Sequence, residues 1–181
     1  MTAFRIRCAP ELRETELDAL AAVLADCVEG GASVSFMQPL SRERALDFWR
    51  RVALGVSAGE RVVLLAEDAL GICGTVQVVL AQPENQPHRG DVAKMLVHRR
   101  ARRQGVGAAL MLAAENAARE RGKTLLVLDA ITGGDAARLY ERLGWERVGD
   151  IPDYALMPAG GFASTTVYYR RLASGDPLAQ R

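Results

Sequence analysis

The chain has 181 residues, of which 49% are hydrophobic and 25% are charged, and its 23 basic and 22 acidic residues leave a net charge of +1. These values predict one domain with its own core at residues 1–172, followed by a polar C-terminal tail at 173–181. The near-neutral charge argues against a nucleic-acid or membrane-surface partner, and no apolar run has the roughly 18 residues that a membrane span needs.

The cysteines are few and widely spaced. Cys8, Cys27 and Cys73 form no Cys-x-x-Cys pair, which predicts reduced, buried thiols rather than disulfides or a zinc site. The N-terminus has no apolar stretch of signal-peptide length. We therefore expect a cytoplasmic protein without a bound metal.

Taken in chain order, the apolar periodicities predict a short strand, two helices, three strands and then alternating helices and strands. The three central strands are predicted antiparallel, and the following strand-helix-strand unit is a parallel crossover. This order predicts an α/β (α+β) fold whose mixed, mostly antiparallel central sheet has helices on both faces. The strands are predicted at residues 4–8, 61–66, 72–81, 91–97, 125–128, 145–148 and 165–169, and the helices at 11–28, 41–57, 108–121 and 135–143.

The turn after the strand at 91–97 is the most informative segment. Residues 97–107 read Val-His-Arg-Arg-Ala-Arg-Arg-Gln-Gly-Val-Gly and lead into an alanine-rich helix. The first N–H groups of a helix have no partner within the helix, and the helix dipole makes this end attractive to anions. Glycine lets an anion approach the backbone closely. The segment therefore predicts a site for a phosphorylated ligand, with Arg99 and Arg100 expected on a solvated face.

Two motifs resemble the GNAT superfamily of acyl-CoA-dependent N-acyltransferases. Arg-Arg-Gln-Gly-Val-Gly at 102–107 matches the family pattern Gln/Arg-x-x-Gly-x-Gly/Ala, and Ala-Arg-Leu-Tyr-Glu-Arg-Leu-Gly-Trp at 137–145 is similar to Ala-x-x-x-Tyr-x-x-x-Gly-Phe. Residues 30–37 and 128–129 look more narrowly like the tabtoxin-resistance acetyltransferase group. That narrower resemblance implies a role in toxin or antibiotic resistance.

The resemblance implies acetyl-CoA as the acyl donor, without a metal, and a small-molecule amine that attacks the thioester directly in a ternary complex. The pyrophosphate would lie on the glycine turn, and the pantetheine arm would pair with the preceding strand like an added β-strand. The donor-binding residues implied in this way are Met95, Leu96, Val97, Arg102, Arg103, Gln104, Gly105, Val106, Gly107 and Ala108.

Two proton transfers accompany such a reaction. Tyr140 matches the family tyrosine near the sulfur and is assigned as general acid, the alternative being a core aromatic. Asp91 and Asp129 are both candidates for the base, directly or through water. Each is expected where the two strands separate, and a strand-end or capping role is the alternative for both.

The loop between the first two helices is expected to border the acceptor pocket. Its candidate substrate residues are Glu29, Ser33, Phe36 and Met37, with packing and turn formation as the favoured alternative. Tyr154 is a further candidate for lining the acceptor cleft.

Other functions remain as alternatives. These are a protein or peptide N-acetyltransferase and a non-catalytic acyl-CoA-binding module. A dinucleotide site is disfavoured because Gly107 is followed by Ala108, Ala109 and Leu110, which leaves Gly-x-Gly-x-x-Gly incomplete. By analogy with relatives, a homodimer is expected.

Overall fold

The computed structural model describes residues 4–172, and these form a seven-stranded sheet with four α-helices. A short 3₁₀ helix at Arg99–Ala101 precedes the third α-helix. The strands are β1 (Arg5–Ala9), β2 (Arg61–Asp68), β3 (Gly71–Val79), β4 (Arg89–Val97), β5 (Leu125–Ile131), β6 (Glu146–Leu156) and β7 (Phe162–Arg171), and the helices are α1 (Glu14–Glu29), α2 (Arg42–Ser57), α3 (Val106–Arg119) and α4 (Asp135–Arg142).

The strand order across the sheet is β1-β2-β3-β4-β5-β7-β6. The pair β4–β5 is parallel, and the other five pairs are antiparallel. The predicted order of helices and strands and the mixed, mostly antiparallel sheet are confirmed. The predicted tail at 173–181 lies outside the described residues, so it stays a prediction together with the domain bounds.

Five predicted strands were too short, and the largest differences are in β5, β6 and β7. β6 has 11 residues instead of four, because it is an edge strand with mostly exposed side chains and no apolar run marks it. Pro152 is tolerated there because the β6–β7 register is irregular between Ile151 and Ala155. β5 continues to Ile131, so Asp129 lies within the strand and not after it.

Each face of the sheet covers its own apolar core. On one face α3 and α4 pack over Leu126 and Leu128. On the other face α1 and α2 pack over a core that includes the fully buried Trp49. Cys27 and Cys73 are buried as expected, but Cys8 is exposed, so the prediction for that thiol was wrong. No helix within residues 4–172 is long and apolar enough to cross a membrane.

Both helices of the α1–α2 layer begin at polar contacts. Ser41 caps α2 by accepting a hydrogen bond from the Arg44 N–H at 3.3 Å. At α1, the Glu16 carboxylate accepts from the Arg13 N–H at 2.8 Å and also pairs with the Arg7 guanidinium. Burial pushes the pKa of Glu16 upward, but these hydrogen bonds outweigh burial and lower it to about 2. Glu16 is therefore a buried charge held by partners.

We predict that Glu16→Gln lowers the free energy of unfolding at pH 7 by about 2 kcal/mol. The folded-state pKa of Glu16 lies below its ordinary value of 4.5, so its contribution is present above pH 4.5 and is lost as the pH falls towards 2. Urea unfolding of both proteins across this range should show the difference shrinking. Glu14→Gln, on the same turn but exposed, is the control and should change stability by about 0.5 kcal/mol or less. A pH-independent difference would contradict the prediction.

Candidate functional site

The site begins where β4 and β5 separate. Only three residue pairs join them, ending at Asp91 and Val127. Beyond Asp91, β4 stays paired with β3, and β5 stays paired with β7. A bulge in β4, at which Lys94 has a φ of 50°, shifts the register to β3 and bends the strand at this point. The two strands thus open a gap inside a continuous sheet.

A cleft of about 990 Å³ occupies this gap. It is lined by the last residues of β4 and β5, the turn and first residues of α3, one side of α4, and the loop between α1 and α2. Its size is at the upper end of the range for small-molecule pockets, about 300–1,000 Å³. The cleft can therefore accommodate a ligand with an extended arm.

The first turn of α3 forms one end of the cleft. The first helical hydrogen bond comes from the Ala109 N–H to the Gly105 carbonyl at 3.0 Å, so the N–H groups of Val106, Gly107 and Ala108 precede it. Gly105 has a φ of 87°, which disfavours any residue with a Cβ. A Cβ on Gly107 would lie 3.1 Å from a methyl carbon of Leu139. The glycine motif thus opens backbone donors to the cleft.

Four arginines surround this helix end. Within residues 4–172, Arg103 and Arg142 form no ion pair and no side-chain hydrogen bond, so their charges are available to a ligand. Arg102 donates from Nε to the Val97 carbonyl at 3.1 Å, and Arg138 pairs with Asp135. The result is a locally basic, donor-rich rim suited to phosphate groups.

Arg99 and Arg100 fix the turn to the scaffold, although Arg99 is exposed, as predicted, and Arg100 is half-buried. The Arg99 N–H and Nε donate to the Asp26 carboxylate on α1 at 2.8 and 2.7 Å. Burial raises the pKa of Asp26, but these hydrogen bonds prevail and lower it. Arg100 pairs with Asp68, a buried carboxylate at the end of β2. Both interactions hold the glycine turn in place.

The β4 edge and the glycine turn account for the other predicted donor-binding residues. Met95, Leu96 and Val97 line the cleft along the part of β4 that β5 leaves unpaired. Gln104 is not among the lining residues, because its side-chain amide donates to the Arg100 carbonyl at 3.0 Å and braces the turn. The structure thus brings all the predicted donor-binding residues except Gln104 to the cleft.

Tyr140 and Asp129 both line the cleft, Tyr140 from α4 and Asp129 from β5. Tyr140 is 5% exposed, and its ring packs with those of Trp145 and Tyr168. Burial, and to a lesser degree the charge of Asp129, raise the pKa of Tyr140, which keeps the phenol protonated. Asp129 is exposed and, because side chains alternate along a strand, lies on the opposite sheet face from the buried Leu128.

Asp91 does not line the cleft. It belongs to the last β4–β5 pair, and its carboxylate pairs with Arg89 and accepts from Gln82 Nε2 at 3.1 Å. Of the two predicted candidate bases, Asp129 therefore lines the cleft and Asp91 stays in the paired part of β4.

The loop between α1 and α2 contributes one predicted residue to the cleft, Ser33. Glu29 instead pairs with Arg99, and Phe36 packs edge-on against Phe48 at 5.4 Å between ring centroids. Met37 and Tyr154 are exposed away from the lining. The contacts of Glu29 and Phe36 are thus those of residues with a structural role, which was the alternative to substrate binding.

Lys94 is a cleft residue that the sequence prediction missed. Its ammonium donates to Ser35 Oγ at 3.2 Å and lies 5.6 Å from the centre of the Phe48 ring. Burial lowers its pKa, although the charge of Asp129 acts in the opposite direction. A signal existed in the composition, since only two of the 23 basic residues are lysines, Lys94 and Lys123. Residues 4–172 contain no cluster of three or more His, Cys, Asp or Glu side chains suited to a metal ion.

Comparison with known proteins agrees with this geometry. Residues 59–147 match the family model of the acetyltransferase (GNAT) domain. Among solved structures, a ribosomal-protein-alanine N-acetyltransferase from Brucella melitensis is 24% identical with a TM-score of 0.78, over 93% of this chain and 99% of that one. A candidate acetyltransferase from Salmonella typhimurium, solved with its cofactor acetyl-CoA, is 19% identical with a TM-score of 0.76, over 98% and 99%. A candidate phosphinothricin N-acetyltransferase is 18% identical with a TM-score of 0.76, over 94% and 99%. At these identities the structural likeness shows the fold.

Proposed function

We propose that this chain, which carries an acetyltransferase (GNAT) domain, transfers the acetyl group of acetyl-CoA to the amine of a small molecule such as an amino acid, a toxin or an antibiotic. One observation carries the proposal. The gap between β4 and β5 forms one cleft, which is lined by a basic helix N-terminus, the proposed donor end, and by the phenol of Tyr140 and the carboxylate of Asp129, the proposed acceptor end. A donor bound at the first end can thus meet an amine at the second.

The donor end fits a pyrophosphate. Backbone N–H groups precede the first helical bond of α3, and the unpaired Arg103 and Arg142 add charge beside them. The unpaired edge of β4 offers N–H and C=O groups to the amides of a pantetheine arm, as in strand addition. This support is strengthened by the Salmonella typhimurium protein of the same fold, which was solved with acetyl-CoA.

The α1–α2 loop contacts the β6–β7 turn beside the cleft, and we call this contact the strap. The Gln38 N–H, in the loop between α1 and α2, donates to the Pro158 carbonyl in the β6–β7 turn at 2.9 Å, and Ser33 Oγ donates to the Leu156 carbonyl at 3.4 Å. Because Ser33 and Met157 line the cleft, the strap narrows the space that a polypeptide acceptor would need there. This narrowing favours a small acceptor over a protein.

Direct attack divides the proton transfers between two residues. The amine nitrogen bonds to the thioester carbonyl carbon, the carbon–sulfur bond breaks, and the nitrogen loses a proton. Asp129 is the proposed base for that proton, and Tyr140, protonated at neutral pH, is the proposed donor to the leaving sulfur. A backbone N–H of β4 near Leu96 is the proposed donor to the carbonyl oxygen.

A panel assay tests the proposal. Thiol release from acetyl-CoA should occur with at least one class among simple amines, amino acids, amine-bearing toxins or antibiotics, and exceed release without an acceptor. Peptides should be poor acceptors because of the strap. Preference for peptides would favour the alternative of a protein N-acetyltransferase. Acetyl-CoA binding without transfer to any acceptor would favour the non-catalytic module.

We predict that Tyr140→Phe lowers kcat by about 100-fold, since it removes the proposed proton donor. The dissociation constant for acetyl-CoA, measured by calorimetry, should stay within about twofold because the binding turn is unchanged. Tyr168→Phe is the matched control, because it removes a phenol from the same aromatic cluster outside the cleft. Equal losses in the two variants would show that Tyr140 has only a packing role.

We predict that Asp129→Asn lowers kcat/KM by about 100-fold near neutral pH, with partial recovery at high pH as the free amine becomes abundant. Asp91→Asn should change the rate much less, because the Asp91 carboxylate is held by Arg89 and Gln82 outside the cleft. The reverse ranking of the two variants would assign the base to Asp91.

A further inference from the structure

Lys94 occupies an unusual position for a cation in this chain. It lies at the bulge of β4, beside the gap, and its side chain extends to Ser35 in the α1–α2 loop and to Phe48 on α2. These contacts place its ammonium on the sheet face covered by α1 and α2, where Asp129 also lies. The two opposite charges therefore border the acceptor end from β4 and from β5.

The ammonium has spare hydrogen-bonding capacity. A lysine ammonium has three N–H donors, and Ser35 Oγ is the hydrogen-bond acceptor that residues 4–172 supply to Lys94. The other lysine of the chain, Lys123, has two backbone acceptors, because it donates to the Leu80 and Pro87 carbonyls at 2.9 and 2.8 Å. Lys94 also forms no ion pair within the described chain. Because a half-buried ammonium with unused N–H donors is stabilised by an opposite charge, this position favours an anionic ligand.

The local backbone supports the same conclusion. Four non-glycine residues among those described have a positive φ, and three of them, Ser35, Lys94 and Arg103, line the cleft. The φ values of Ser35 and Lys94 are 74° and 50°. Such conformations cost free energy and occur most often at functional sites. Here they bring Ser35 Oγ and the Lys94 ammonium together.

We propose that Lys94 and Ser35 form an anion subsite that binds the carboxylate of the acceptor, so that the acceptor class is a small amino acid whose amine faces Asp129. The proposal rests on the proposed acetyl transfer at this cleft. The Lys94 ammonium and the Asp129 carboxylate together match an acceptor that carries one carboxylate and one ammonium group. A single ammonium also suits a carboxylate, which has one negative charge, better than a phosphate ester. Lys94 thus acts as a specificity-determining residue.

Matched acceptors test the subsite. For several L-amino acids, kcat/KM is compared with that of the corresponding primary amides and decarboxylated amines in the wild type, Lys94→Met, Lys94→Gln and Lys94→Arg. We expect the wild type to prefer the acid over the amide by about 10- to 100-fold, the range of a charge-assisted hydrogen bond. Lys94→Met and Lys94→Gln should abolish this preference, and Lys94→Arg should retain part of it. Arg142→Met, which removes a charge at the donor end, should leave the ratio unchanged.

A binding measurement separates this inference from the proposed function. Calorimetry with coenzyme A in place of acetyl-CoA should show an amino acid binding the wild type about 10-fold more tightly than Lys94→Met. Equal rates for acids and amides in the wild type would overturn the subsite while acetyl transfer stands. Lys94-dependent binding without any transfer would support the subsite and refute the acetyltransferase activity. Detection of an acetyl group on Lys94 by peptide-level mass spectrometry would also overturn the subsite, because acetylation removes its charge.

Discussion

The early end of the β4–β5 pairing is the constraint on which the rest of the site depends. A sheet normally satisfies its backbone groups by continuous pairing, yet here three pairs are followed by a gap while both strands keep their outer neighbours. Gly90 permits the close approach in the paired part, where a Cβ would lie 3.1 Å from Leu126. The bulge at Lys94 then bends β4 away. Because the gap lies inside the sheet, its walls are rigid and its unpaired backbone groups are already positioned for a ligand.

The arginine-rich turn shows how one basic run performs two tasks. Arg99 and Arg100 form ion pairs with carboxylates of α1 and β2, and these ion pairs fix the start of α3 relative to β4. Arg103, with a φ of 59°, faces the cleft without an ion-pair partner among residues 4–172. Arg99 and Arg100 therefore order the turn through their ion pairs, and Arg103, a proposed donor-binding residue, remains available to a ligand.

The proposed donor end, where the glycine turn lines the cleft, could be predicted from the sequence because its residues are contiguous in the chain. A strand, a turn with Gly105 and Gly107, and an alanine-rich helix are contiguous in the chain, and each has its own compositional signal. The order of helices and strands could be predicted for the same reason, because most elements have their own compositional signal. β6 was underestimated because an exposed edge strand lacks an apolar run, and Asp129 was placed after β5 because a polar residue at the end of an apolar run resembles a strand end.

The acceptor end could not be predicted in the same way, because it is assembled from residues far apart in the chain. Whether Asp91 or Asp129 reaches the cleft depends on the pair at which β4 and β5 separate, which is a property of register and not of composition. Lys94 depends on a bulge that has no sequence signature and on Ser35, 59 residues away. A chain that uses arginine at nearly every basic position keeps lysine here, where a compact ammonium can lie against an aromatic ring and still offer donors. The proposed specificity of the site thus depends on the part of the structure that only tertiary contacts create.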